Sequence, residues 1–166
     1  MNEKDASADT NANPGDMQQA PGSRRCDDPL AALPGYALRR AANAMMGELA
    51  ARMATQGLRV TDASVLLLID GRADMTSSMI GRMLDIQRAN MVRLLNRLEA
   101  DGLVDRAPID RKSIAIVTTP RGREALGRAR AIIATFEEEL MGRIPQAHRG
   151  HFLPALNALW QPGGPV

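Results

Sequence analysis

Residues 84–122 read LDIQRANMVRLLNRLEADGLVDRAPIDRKSIAIVTTPRG, and within this run the spacing of apolar residues changes from a helical to an extended period. From Gln87 to Ala100 the residues Met91, Leu94, Leu95 and Leu98 fall within about 100° of one another on a helical wheel, which predicts a helix with one buried stripe. Its opposite arc carries Ala89, Val92, Arg93 and Asn96, with Arg88 at one edge and Asn90 and Arg97 at the other. Asp101-Gly102 ends the helix, and Leu103-Val104-Asp105-Arg106 begins a strand. Ala107 to Lys112 reads as a turn, and the β-branched run Ser113 to Thr118 as a second strand. Thr119-Pro120 then supplies an N-cap followed by proline at the first helical position, opening a long helix to about Met141.

Working outward, Leu84-Asp85-Ile86 is a tight turn joining this helix to a shorter one that starts near Thr76, with Ser77 and Ser78 as competing caps. Gly81 lies where the two helices would cross closely. A helix from Thr61 or Asp62 to Ile69 precedes them, and before it the four-residue spacing of Ala37, Ala41, Met45, Leu49 and Met53 predicts another, ending near Gly57. A last helix spans Gln146 to Trp160. Three short helices followed by a two-stranded hairpin make a winged helix-turn-helix, and the long helices on either side exceed what that module needs.

An arc that mixes Arg, Asn and small apolar groups suits a major groove. Arg can bond guanine O6 and N7, Asn can bond adenine N6 and N7, and Ala or Val can rest on a thymine methyl. Charge points the same way: residues 80–123 hold nine basic groups against five acidic ones, whereas residues 1–32 hold three basic and six acidic. Residues 1–32 read as a disordered tail, with order expected from Pro29-Leu30 or Pro34.

Composition excludes several classes. With 45% hydrophobic and 24% charged residues, 166 residues suffice for one globular domain. No apolar run is long enough to span a bilayer and no signal-peptide stretch opens the chain, so no membrane partner is expected and the cytoplasm is the expected location. The single Cys26 excludes a disulfide framework and a cysteine-based zinc site. His148 and His151 lack a third ligand, so no metal and no cofactor are expected. No nucleophile stands beside a base and no glycine-rich loop could cradle phosphate, so the chain does not read as an enzyme and has no catalytic residues to name. Most of the methionines in helices, including Met45, Met53 and Met91, sit at apolar spacing and read as core. Glu137-Glu138-Glu139 reads as an exposed helix face.

Three segments together carry a family likeness: Leu98-Glu99-Ala100-Asp101-Gly102-Leu103-Val104-Asp105-Arg106, then Asp110-Arg111-Lys112, then Thr118-Thr119-Pro120-Arg121-Gly122. The stretch from Ile80 to Gly122 resembles the MarR family of bacterial transcriptional regulators. The helix pattern on both sides extends the likeness to roughly residues 33–160. The resemblance implies a mainly α (α+β) winged helix-turn-helix at about 61–118, within a domain spanning 33–162 whose flanking dimerisation helices lie at about 33–56 and 120–161. It implies a homodimer that places one recognition helix per subunit in the major groove of double-stranded DNA, with a wing arginine in the adjacent minor groove. Arg88, Asn90 and Arg93 match DNA-facing positions, Arg111 or Lys112 matches the wing arginine, and Asp110 the aspartate that holds it. The chain departs from the family pattern at Asp85, where glycine is usual, and at Gln87, which replaces a Ser/Asp cap and leaves its side chain for DNA. It departs also at Asn90, which replaces threonine, and in a wing of only three residues between Arg106 and Asp110.

The expected function is a sequence-specific, dimeric transcription regulator on a pseudo-palindromic operator: a repressor released by a small-molecule effector, aromatic or phenolic. Arg97 and Arg106 are expected at phosphates, and Arg88, Arg93 and Asn96 at bases. Tyr36, Arg39 and Arg40 are the expected effector contacts. Two rival readings are a winged-helix module that binds protein only, against which the polar arc argues, and a regulator with a redox trigger at Cys26.

Overall fold

The computed structural model describes residues 28–111 and 113–160. Helices α1 (Pro34–Ala54), α2 (Val60–Ile69), α3 (Ser77–Met83) and α4 (Arg88–Ala100) are followed by strands β1 (Val104–Pro108) and β2 (Ile114–Thr118) and by helices α5 (Pro120–Arg143) and α6 (Gln146–Trp160). The chain divides into two compact units between Arg40 and Ala41, inside α1. In the first unit, Asp28 Oδ1 accepts from the Leu30 N–H, and Arg40 pairs with Asp28 at 3.3 Å.

In the second unit, β1 and β2 pair antiparallel from Val104↔Thr118 to Pro108↔Ile114. A third segment joins this hairpin through the Thr76↔Ala115 bridge, in which the Ile116 N–H donates to the Met75 carbonyl at 2.8 Å. β1 extends to Pro108, past the end expected at Arg106, because a two-stranded hairpin leaves an edge on which proline has no ladder bond to lose. The aliphatic core gathers Met53, Val65, Leu66, Ile69, Met75, Ile80, Met91, Leu95, Leu98, Val104, Ile116 and Leu126, all nearly inaccessible to solvent. Met53 and Met91 lie in it as expected, and Met45 packs on its rim.

The residues of the LEADGL segment close α4 by a Schellman arrangement. The Gly102 N–H donates to the Glu99 carbonyl and the Leu103 N–H to the Leu98 carbonyl, each at 2.9 Å, with Gly102 at φ +67. The same two residues meet the start of α5. Thr119 Oγ1 accepts from the Gly122 N–H at 2.9 Å, capping the helix, and its hydroxyl donates to the Gly102 carbonyl at 2.7 Å. Gly122 lies so close to the backbone just before β1 that a Cβ there would sit 2.0 Å from the Leu103 oxygen. The end of α4 and the beginning of α5 are therefore one lock.

α2 begins at Val60 with Arg59 as N-cap, slightly ahead of the expected start, because the Asp62 carboxylate reaches back to accept from the Arg59 N–H at 2.9 Å. α1 and α5 are tied by alternating charges. Arg143 grips Glu48 through two hydrogen bonds of 2.9 Å, Arg52 bonds Glu48 and Glu139, and its guanidinium also stacks 5.6 Å from the Phe136 ring centre. Glu139 is thus exposed, as its sequence context suggests, but committed to Arg52. α6 contains Pro154 and buries none of its residues, leaving Leu153, Leu159 and Trp160 exposed.

Candidate nucleic-acid interface

α3 and α4 are set by two local features. Thr76 Oγ1 caps α3 by accepting from the Met79 N–H, and Asp85 takes up the left-handed conformation at φ +51 in the turn between the helices. Aspartate tolerates that conformation, so the family's usual glycine is replaced without rerouting the chain. Gly81 permits the close crossing, for a Cβ there would stand 3.1 Å from the Ile86 oxygen.

α4 buries Met91, Leu95 and Leu98, while Leu94, assigned to the same stripe by the wheel, is only half-buried and lines a surface groove. Gln87, Arg88, Asn90, Arg93 and Asn96 are all exposed. Gln87 is the N-cap residue but makes no capping bond with its side chain. Among the described residues, Arg88 and Arg93 have no hydrogen bond or ion pair, so both guanidiniums are uncommitted. Two grooves flank the helix. One of about 470 Å³ is lined by Arg59, Thr61, Asn90, Arg93 and Arg97; the other, of about 520 Å³, by Ser77, Ser78, Arg82, Arg88 and Arg106. Each thus carries three arginines.

Two of the expected phosphate ligands are engaged within the protein. Arg97 does not stand on the outer arc as a free cation. Its guanidinium donates to both oxygens of Asp62, at 3.0 and 2.5 Å, and Asp62 is only 1% exposed. These hydrogen bonds raise the pKa of Arg97, outweighing its own partial burial, and Asp101 stands 3.9 Å away on the solvent side. Arg106 donates from Nε to Glu99 and from Nη2 to the Asn96 Oδ1, both at 2.9 Å. Asn96 is therefore bonded to the strand beside it as well as exposed on α4.

In the wing, the Ser113 N–H donates to Asp110 Oδ1 at 2.8 Å and the Ile109 N–H to the Ser113 carbonyl at 2.9 Å, so Asp110 shapes the turn. Arg111 is exposed at the tip. Lys112 and Cys26 lie outside the described residues. Tyr36, Arg39 and Arg40 cluster at the start of α1, with both guanidiniums over the ring at 5.0 and 5.8 Å. A separate groove of about 400 Å³ is lined by Arg52 of α1, by Thr55 and Gln56 in the turn after it, and by Ala131, Ile132 and Thr135 of α5. Arg59, Arg82, Ser77 and Ser78 were not assigned to the interface from sequence, where the two serines read only as competing caps, because their place beside α4 depends on how three helices cross. No helix among the described residues is long and apolar enough to cross a membrane, and no cluster there could hold a metal ion.

A helix pair crossing at a left-handed turn, a hairpin wing and an arginine-lined reading helix define a winged helix-turn-helix DNA-binding protein. The sequence model of the MarR family matches residues 56–112, the winged-helix segment. The transcriptional repressor CouR, solved bound to a 23-mer DNA duplex, is 33% identical and superposes with a TM-score of 0.74, over 81% of this chain and 96% of that one. CouR from Rhodococcus jostii RHA1 bound to p-coumaroyl-CoA is 25% identical with a TM-score of 0.71, over 82% and 98% of the two chains. A protein of Thauera aromatica named as a candidate transcriptional regulatory protein for the hcr operon is 27% identical over 130 residues, 76% of this chain and 78% of its own. The chain belongs to the MarR family of transcriptional regulators. These relatives are regulators rather than enzymes.

Proposed function

We propose that the protein is a homodimeric repressor that reads a pseudo-palindromic operator through α4 and is released by a small aromatic acid or its coenzyme A thioester. The observation that carries the reading is the exposed arc of α4. Arg88 and Arg93 are unpaired among the described residues, beside exposed Gln87 and Asn90 and on a helix whose other side is buried. Those four side chains are assigned to base edges and neighbouring phosphates, and Arg59, Arg82, Ser77 and Ser78 to phosphates on either side. Asp110, Arg111 and Lys112 form the wing contact. Arg97 is reassigned from phosphate binding to holding α4 against α2.

Dimerisation is supported by α6. A fifteen-residue helix that has no fully buried residue in its own chain, contains a proline and exposes Leu153, Leu159 and Trp160 has little of the packing that stabilises short helices, and a second copy would supply it. The domain is accordingly taken as 33–162, with the winged helix at about 61–118 between dimerisation helices at about 33–56 and 120–161, and its place of action as the cytoplasm.

For the effector, the groove beside Ala131, Ile132 and Thr135 suits an aromatic group, whose negative charge would have to compete with Glu48 and Glu139 for the Arg52 guanidinium. Tyr36, Arg39 and Arg40 are not among its lining residues and are kept as effector contacts only through the family likeness. Arg52 belongs to both α1 and the charge chain to α5, so a ligand there would shift the balance between two arrangements of these helices.

The reading is tested by footprinting the purified protein on DNA flanking its own gene, with the mass in solution measured alongside. A dimer protecting two half-sites about one helical turn apart, with affinity falling steeply as salt rises and p-coumaroyl-CoA or a related aromatic acid releasing the DNA, is expected. A protein-only module would show no salt slope on DNA. An operator complex that persists at saturating effector would remove the release arm alone.

A further inference from the structure

The contact between Asn96 and Arg106 fixes the direction of a reading group on α4. A guanidinium has donors only, so the atom of Asn96 that lies 2.9 Å from Arg106 Nη2 must be the carboxamide oxygen. The amino group of Asn96 then points the other way. A second contact biases Arg106 toward this position, its Nε donating to Glu99 Oε2 at 2.9 Å. The two acceptors, Asn96 and Glu99, sit one helical step of three residues apart on α4 and hold the arginine of β1 between them.

This arrangement changes what asparagine can recognise. An unconstrained asparagine pairs with adenine by accepting from N6 and donating to N7, which needs its oxygen and its amino group together. Here the oxygen is occupied by a cation, and an incoming adenine or cytosine amino group would approach that cation with its own positive hydrogens. What remains is a donor with two N–H bonds. In the major groove guanine presents two acceptors, O6 and N7, and no donor, whereas thymine presents O4 alone beside its methyl group. We propose that Arg106 is a positioning residue that turns Asn96 from an adenine reader into a guanine reader, one position in each half-site. The proposal rests on α4 lying in the major groove, and it replaces the adenine pairing that asparagine alone would suggest.

The test is a binding series on an operator library carrying all four bases at each position, for the full-length wild type and for N96A, N96D, R106A and R106K, each checked for native melting. The wild type is expected to prefer guanine over adenine about tenfold at one position per half-site. N96A loses that preference and no other. R106A frees the carboxamide, so adenine comes within about threefold of guanine, whereas R106K, which still donates to the oxygen, keeps the preference. Should R106A fail to fold, N96D still decides, since a carboxylate turned outward favours bases with an amino group. Uniform weakening of all sequences by N96A would place Asn96 at a phosphate and overturn the inference, as would an unchanged preference in R106A and N96D. A library without preference at any position would overturn the major-groove reading as well. Preferences elsewhere, with none lost in N96A, overturn only the role of Asn96.

Discussion

Replacing Arg97 with methionine separates the two roles that its position on α4 could serve. Asp62 is 1% exposed and has two hydrogen bonds from Arg97 and one from the Arg59 N–H. Without the guanidinium, a carboxylate stays buried with a single backbone donor, and breaking a buried pair from one side costs about 3–5 kcal/mol. Changing both residues, Asp62→Leu with Arg97→Met, removes the charge together with its partner. What remains is the lost reach-back to Arg59 at the start of α2, a cost of about 1 kcal/mol. The double variant should therefore be more stable than Arg97→Met alone by roughly 2–4 kcal/mol. Urea unfolding followed by circular dichroism measures this, at one fixed chain concentration because a dimer's stability depends on it. If Arg97→Met loses less than about 1 kcal/mol, and instead lowers the slope of log K against log salt by about 0.9 on DNA, then Arg97 binds a phosphate and the structural assignment fails.

Gly122→Ala should cost about 3 kcal/mol or more, since the added methyl would meet the Leu103 backbone oxygen at 2.0 Å and backbone cannot step aside; thermal melting that matches the wild type would show the contact to be looser. Arg93→Ala should weaken operator binding by about 1–3 kcal/mol and relax preference at one position per half-site, and equal weakening on all DNA would move Arg93 to a phosphate. The Arg143 hydrogen bonds hold the Glu48 carboxyl below its ordinary value of 4.5, against the opposing pull of partial burial. A lowered carboxylate stabilises the fold above its unfolded value, and that contribution is lost as pH falls through the lowered one. The wild-type melting temperature should therefore drop faster than that of Glu48→Gln as the pH falls below about 4.5, and parallel curves would show the clasp between α1 and α5 to be without effect.

Most of the architecture was legible because its signals are local. The LEADGL segment encodes a helix stop, a left-handed glycine and a return of apolar character, and the structure forms those as one Schellman motif. Thr119-Pro120 encoded the start of α5 in the same way. The reading of individual cations was harder. On a wheel, Arg97 and Arg93 differ by little more than an edge position, and only the arrival of Asp62 from a helix thirty-five residues earlier separates a structural arginine from a free one. The same holds for Arg106, whose partners Asn96 and Glu99 lie on another element. Gly122 looked like part of a helix-opening motif, yet what requires glycine there is the Leu103 oxygen just past the end of α4.

The lock between Gly102-Leu103 and Thr119-Gly122 makes α5 a lever arm. Its 24 residues extend about 36 Å from that fulcrum. A rotation of only about 5° at the lock displaces the far end by about 3 Å, so small movements where two copies would meet are geared down to fine adjustments of pitch at the reading helix. Conversely, DNA that forces the reading helix a degree or two off axis would be felt, magnified, at the distant end.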